Sequence, residues 1–386
     1  MARRALQLAS VASMIEQFNI PNIEVLLSLG YSVDVVADFS NPGNISDEIA
    51  NQLRERLTSM GCQVMDVAVP RSLNPKSIYK AYSEIKKIIM TMNYDLIHCH
   101  SPIGGAITRL AAKNNRKNGT RVIYTAHGFH FYDGAPIKNW IVFYPIEKWL
   151  SKYTDVLITI NIEDYKRAQR KFKATKTLYV PGIGVNTGRF ANNAQGKKRI
   201  RNELRLKEKD FMLLSVGELN DNKNHEAVIK ALAKMKSNGR LPQNLYYIIV
   251  GKGNKKECLD ALINKTKLNE RIKLVGFRKD VADFYSAADV FVFPSFREGL
   301  SVSLMEAMSA GLAVICSRIR GNTDLLEENK GGLFFNPKCV DTIVEAIQKV
   351  LLMDLQEIGM FNTNKMKGFD LEKVREMMID VYRGIE

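Results

Sequence analysis

The chain has 386 residues, 46% of them hydrophobic and 25% charged, a soluble globular balance that excludes a disordered or collagen-like chain. Its length exceeds one ordinary core and suits two domains of roughly 180 residues each. Lysine and arginine outnumber aspartate and glutamate by 56 to 41, giving +15, and residues 51–200 alone carry 25 basic and 9 acidic side chains. Such a basic stretch suggests an anionic partner: nucleic acid, a membrane surface or phosphorylated substrates.

In chain order, the N-terminus reads as a first strand over 5–11 followed by a turn. Ser10, Ser13 and Glu16 interrupt its apolar run too early for a signal peptide. Further strands are predicted at 32–37, 95–99, 121–126 and 155–160, with amphipathic helices at 75–92 and 103–115. The uninterrupted apolar run Trp140 to Ile146 is far short of a membrane span. Residues 76–92 and 164–176 form cationic amphipathic patterns, and 138–153 adds Trp140, Tyr144, Trp149 and Tyr153. These segments read either as solvated surface helices with some aromatic core or as a face that meets anionic lipid. The polar, glycine-containing stretch 186–203 marks a break.

The second half repeats the scheme, with strands at 211–216, 245–250, 272–275, 289–293 and 313–317 and helices at 224–236 and 256–267. A final helix, 370–382, places Leu371, Val374, Met377, Met378 and Val381 on one face. Several strands, such as DVLITI and LYYIIV, are apolar on both sides, as central strands of a helix-covered parallel sheet must be. Two doubly wound α/β domains follow, and such sheets bind ligands beyond the carboxyl ends of their strands. The five cysteines are odd in number and widely spaced, which fits a reducing compartment and offers no metal cluster.

The densest local signal is FVFPSFREGLSVSLMEAMSAGLAVICS, residues 291–317. A strand, a glycine turn and a serine-started helix bring unpaired backbone N–H groups to the sheet edge, where they favour a phosphate. Glu298 lies in the loop and Glu306 inside the helix. The bland alternative stays open at this point, since Ser303 to Glu306 fits a capping box and Glu298 suits a solvated loop.

Two glutamates separated by seven residues, after PSFREG, resemble the retaining glycosyltransferases of family 4, which have the GT-B fold. The stretches 95–112, 125–136, VPGIGV (180–185), VGELNDNKNH (216–225) and 280–295 resemble that family in the same order. They look most like members that build capsular, exopolysaccharide or lipid-linked oligosaccharide chains. The resemblance implies two Rossmann-like domains facing a cleft: an acceptor-binding domain, 1–186, and a nucleotide-sugar-binding domain, 187–368. A C-terminal helix, 369–386, would cross back to the first domain. It further implies that Glu298 contacts the 3-hydroxyl region of the donor sugar and that the N–H groups of Gly299, Leu300 and Ser301 meet sugar and phosphates. Glu306 would accept from both ribose hydroxyls, Lys223 would neutralise the diphosphate, and His127 would face the donor sugar near its 6-hydroxyl. The end of the His98–His100 strand would lie on the acceptor side.

Two departures stand out. The family usually has an arginine five residues before the lysine, and here the position is Glu218, leaving Arg278, Arg297 or Arg320 as substitute cations. The first loop reads Ser10 to Met14 where relatives often have paired glycines, so Ser13 is a donor-binding candidate or a turn residue. The chain has no Asp-x-Asp pair, the usual carboxylate clamp for a metal-bound diphosphate. The implied partners are a nucleotide sugar, a lipid-diphosphate-linked glycan and the inner face of a plasma membrane, with no metal, cofactor or nucleic acid. A nucleotide-sugar epimerase of the same fold and a basic nucleic-acid-binding protein are the rival readings.

Overall fold

The structure is a computed structural model that describes residues 3–385, so Met1, Ala2 and Glu386 of the expected domains lie outside it. It divides into two units, Met1–Ile183 with Glu372–Glu386, and Gly184–Leu371. The division falls inside VPGIGV.

The first unit is built on seven parallel strands: β1 (Arg4–Val11), β2 (Ser32–Asp38), β3 (Gln63–Asp66), β4 (Leu96–His100), β5 (Arg121–Ala126), β6 (Val156–Thr159) and β7 (Lys176–Tyr179). Their order is β3-β2-β1-β4-β5-β6-β7. Alternation along β1 explains its two-sided burial. Ala5 and Ala9 join the core under the helices after β1 and β2, while Leu6 and Leu8 join the core under the helix Pro75–Met92. The last helix, Leu371–Arg383, packs Val374, Met378, Val381 and Tyr382 into the first of these cores. Met377, expected on that face, is exposed, and Tyr382 takes the inward place.

The second unit has six parallel strands: β8 (Phe211–Val216), β9 (Leu245–Val250), β10 (Ile272–Leu274), β11 (Val290–Phe293), β12 (Ala313–Ser317) and β13 (Gly332–Phe335), in the order β10-β9-β8-β11-β12-β13. Val290, Val292 and Ile315 bury on one face, and Phe291, Phe293 and Val314 on the other. Each sheet therefore winds outward in both directions from a central crossing, between β1 and β4 and between β8 and β11. Ligands bind beyond the carboxyl ends of the strands at such crossings.

Two expectations change. The division falls just ahead of 186–203. That stretch, expected to lack apolar periodicity, belongs to the second unit, where the helix Ala194–Glu203 seats Ile200 in the core beside Phe190. A polar helix needs few apolar anchors when only one stripe meets the sheet. The basic pattern 164–176 also splits. Its helix ends at Lys171, Phe172 is extended, and Lys176 opens β7. Among the described residues no helix is long and apolar enough to cross a membrane.

Candidate active site

At the crossing of the second sheet, the loops after β8 and β11 are stitched together by asparagines. The Phe296 N–H donates to Asn222 O at 2.8 Å, and Asn222 Nδ2 donates to Arg297 O at 2.9 Å. Asn224 adopts φ of +53°, a region asparagine tolerates, and its Nδ2 reaches Pro294 O and Pro337 O, both at 3.1 Å. This scaffold brings Lys223 Nζ to 2.8 Å from Glu298 Oε1, with both side chains mostly buried. The ammonium also lies 4.7 Å from the centre of the Phe293 ring. The structure thus joins the two residues that resemblance assigns to diphosphate and sugar. A phosphate oxygen could replace Glu298 on Lys223 by the same charge-assisted bonding.

The helix Val302–Ser309 begins immediately after this loop. Its N-cap is Ser301, whose hydroxyl accepts from the Leu304 N–H at 3.3 Å. Leu304 is then the third helical residue and Glu306 the fifth, so Glu306 is outside capping-box reach and that reading fails. The N–H groups of Gly299, Leu300 and Ser301 meet no acceptor among the described residues. They form a row of donors at a helix start, suited to an anion. Glu306 accepts from the Tyr285 hydroxyl at 2.9 Å. Burial pushes its carboxyl up to about 7, against the opposing pull of the Tyr285 bond and the Arg189 charge. One accepted bond leaves a carboxylate room for further donors.

The cation question is narrowed. Glu218 is exposed. Arg278 spends its fork on Glu203, at 2.6 and 2.9 Å, and on Asp280, at 2.8 and 2.9 Å, which corrects the expectation that it serves the phosphates. Arg297 is exposed in the Glu298 loop. Arg320 is buried, and its Nε donates to Glu298 O at 3.3 Å. Gly321 follows with φ of +80°, and a Cβ there would lie 2.3 Å from Gly299 O, so only glycine lets these two loops meet.

At the crossing of the first sheet, β1, β4 and β5 deliver a polar cluster. Ser10 Oγ and Ser101 Oγ are 2.5 Å apart, and Ser101 holds φ of +64°, a strained value for serine at a strand end. His100 Nδ1 lies 3.1 Å from His127 Nε2, and His100 Nε2 lies 2.7 Å from Gln7 Nε2. His98 sits behind, its ring centre 4.2 Å from that of His100, bonded to the Tyr382 hydroxyl and to Thr125, each at 2.8 Å. Burial depresses all three imidazoles. His98 falls to about 3, His127 to about 4 and His100 well below its ordinary value, with neighbouring histidines adding to the effect on His98 and His100. All three are neutral at pH 7. Among the described residues, no group of three histidine, cysteine or acidic side chains is arranged to hold a metal ion. Ser13 is buried, its N–H already donates to Pro42 O at 2.9 Å, and a Cβ on Gly43 would lie 2.4 Å from its hydroxyl. Ser13 thus sits in the short helix Ala12–Met14 with its N–H spent, which leaves only its hydroxyl for the donor-binding role expected of it.

Gln7, Tyr285 and the Asn222–Asn224 stitch escaped sequence reasoning. The polar run NDNKN was a usable signal for the stitch, whereas Gln7 inside an apolar strand and Tyr285 at a helix end gave none.

Residues 196–364 match the family model "Glycosyl transferases group 1", and residues 12–161 match "Glycosyl transferase 4-like". The chain is 36% identical over 335 residues to the putative glycosyltransferase EpsD of Bacillus subtilis, covering 86% of this chain and 83% of that one. It is 28% identical over 400 residues to an Escherichia coli UDP-Gal:alpha-D-GlcNAc-diphosphoundecaprenol alpha-1,3-galactosyltransferase, covering 97% and 96%. Among solved structures, Anabaena HepE in complex with UDP superposes with a TM-score of 0.77 at 17% identity, covering 99% of this chain and all of the other. With two parallel doubly wound sheets and both family models in sequence, the chain belongs to the family 4 glycosyltransferases and has the GT-B fold.

Proposed function

We propose that the protein is a retaining glycosyltransferase that moves a hexose or N-acetylhexosamine from a UDP-sugar to a lipid-diphosphate-linked glycan in surface polysaccharide synthesis. The observation that carries this reading is the Lys223–Glu298 pair at the crossing of the second sheet, beside the unspent N–H groups of Gly299 to Ser301. The names of the relatives above support the donor class and the acceptor class. Glu298 holds the sugar, Glu306 the ribose, and Lys223 the diphosphate, with Arg320 as the second cation where the family arginine is replaced by Glu218. His127 contacts the donor sugar, and the acceptor is met beyond the end of β4, where His100 itself is buried with both ring nitrogens engaged by Gln7 and His127.

Transfer is front-face substitution. The bond from the sugar's anomeric carbon to the diphosphate oxygen breaks, the acceptor oxygen bonds on the same face, and the departing phosphate takes the acceptor's proton. Lys223, Arg320 and the helix-start N–H groups stabilise the charge that develops on the leaving group. With no Asp-x-Asp pair in the chain, this reading is metal-independent. A donor screen across UDP- and GDP-sugars by calorimetry, followed by transfer to a polyprenyl-diphosphate glycan with the product's anomeric configuration read by NMR, tests it. Conversion of a UDP-sugar without acceptor would favour the epimerase reading and defeat this one.

The same reading puts the protein on the inner face of a membrane through the helix Ile137–Leu150. Its exposed positions are Ile137, Lys138, Ile141, Val142, Pro145, Ile146, Lys148 and Trp149, apolar or basic without an acid. The helix's one acid, Glu147, is buried in an ion pair with Arg109 at 2.8 Å. Trp140 and Tyr144, expected at the interface, turn inward onto Phe131 instead. An exposed face of this composition matches an anionic bilayer surface.

A further inference from the structure

We infer that Gln7 and His100 are positioning residues that lock His127 in the tautomer carrying its proton on Nδ1, so that His127 offers the donor sugar an N–H rather than a lone pair. The direction of every bond in the cluster follows from one backbone carbonyl. Met14 O can only accept, so the group of Asn19 facing it at 3.0 Å is Nδ2, which turns Asn19 Oδ1 toward Gln7. Gln7 must then present its Nε2, at 3.1 Å. The second hydrogen of that amide points at His100 Nε2, 2.7 Å away, which must be a lone pair. Neutral His100 therefore carries its proton on Nδ1 and donates it to His127 Nε2 at 3.1 Å. Neutral His127 is left with its proton on Nδ1, which meets no acceptor among the described residues.

The arrangement has a visible cost. Gln7 Oε1 is buried with no partner among the described residues, a loss that an amide flip could relieve only by facing two oxygens at Asn19. Asn19 itself ends a π-helical turn, Ile15–Asn19, that follows β1 within a few residues, the kind of irregular turn found at functional sites. Phe18, from the same turn, packs on the His127 ring with centres 5.4 Å apart and fixes its plane. A β1 glutamine, a π turn and two histidines thus act as one directional relay ending at a donor.

The inference rests on the proposed contact between His127 and the donor sugar, but its test does not. In full-length protein with 15N-labelled histidine, long-range 1H–15N spectra at pH 7 should show His127 protonated at Nδ1 and bare at Nε2. A proton on Nε2 overturns the relay, and this measurement needs no variant to fold. Gln7→Met removes the donor at nearly constant volume, and His127 should then populate both tautomers. Its affinity for the UDP-sugar should fall about tenfold while affinity for UDP alone stays within twofold, a split that a merely structural role would not give. An unchanged tautomer in Gln7→Met also overturns the relay. If instead the tautomer is as inferred while His127→Ala transfers sugar at the parent rate, the placing of His127 at the sugar is overturned, and with it the use assigned to the relay.

Discussion

The crossings of the two sheets handle charge in opposite ways. In the second unit Lys223 and Glu298 keep their charges by pairing at 2.8 Å, and the loop offers further N–H donors. In the first unit three imidazoles are packed so tightly that burial strips their charge, and order comes from the direction of hydrogen bonds. Under the proposed function, one sheet edge would meet a dianion and the other would orient neutral hydroxyls. Identical topology therefore does not imply identical chemistry, because the loops and strand ends decide it.

The largest effect should come from splitting the ion pair. Glu298→Ala should cut transfer by about 10²–10³-fold, the range typical for loss of one well-placed charged group at a reacting centre. UDP affinity should hold or rise in that variant, because Lys223 no longer has a carboxylate competing for it. Lys223→Ala should do the reverse, weakening UDP binding about 100-fold by leaving Glu298 unneutralised beside the diphosphate. Calorimetry with UDP on both variants reads the two signs, and melting temperatures close to the parent's would exclude a folding defect. Equal losses of UDP affinity in both variants would break the contrast between the roles.

Acid and base should separate the two crossings next. The histidines' folded values lie below their ordinary 6.5, so their contribution to stability is full above that pH and is lost as pH falls toward 4. Each uptake of one proton adds up to about 1.4 kcal/mol per pH unit to the slope. Glu306 works the other way. Its folded value of about 7 lies above the ordinary 4.5, so its contribution is full below 4.5 and about 3 kcal/mol is lost as pH rises to 7. In the second unit buried His225, pushed down to about 4, opposes Glu306. Urea melts between pH 4 and 7.5 should therefore show the first unit gaining stability with pH and the second nearly flat, with Glu306→Gln making the second rise as well and His98→Gln making the first shallower. UDP affinity should also climb as pH passes 7, as the Glu306 carboxylate forms, and should stay flat in Glu306→Gln. A single pH profile shared by both units would show that burial does not set these protonation states.

Much of the fold was legible because central parallel strands must be apolar on both faces. β5, β8, β9 and β12 fall where their runs of Val, Ile and Leu predict. The edge strands β3 and β7 were not, since each is four residues long and largely half-exposed, so neither periodicity nor composition marks it. β13 is equally short and opens on glycine. At the candidate site, Lys223, Glu298 and Glu306 were singled out through the resemblance to family 4. The partners that orient them were not. Tyr285 reaches Glu306 across 21 residues and Gln7 reaches His100 across 93, distances over which one sequence carries no pairing information. Arg278 misled in part for the same reason: its captor Glu203 lies 75 residues away on the helix Ala194–Glu203, although its other captor, Asp280, is only two residues along the chain.

The smallest effect lies outside both crossings and sharpens the contrast by adding a third surface. Ile137 and Ile141 are 76% and 69% exposed, and Trp149 is 47% exposed, on a helix whose solvent side bears Lys138 and Lys148. If that face docks on lipid, Ile141→Ser should lower binding to vesicles rich in anionic phospholipid by several-fold, the loss of about one buried aliphatic side chain in partial contact. Lys148→Ala should cost a similar factor, about 1 kcal/mol near the surface, and that effect should vanish in zwitterionic vesicles or at high salt. Neither change touches Lys223, Glu298 or His127, so transfer to a water-soluble acceptor should proceed at the parent rate. Co-sedimentation with both vesicle types separates the outcomes. Equal binding by parent and variants would assign the apolar stripe to another partner, whereas loss restricted to anionic vesicles would place the basic excess of residues 51–200 against lipid headgroups.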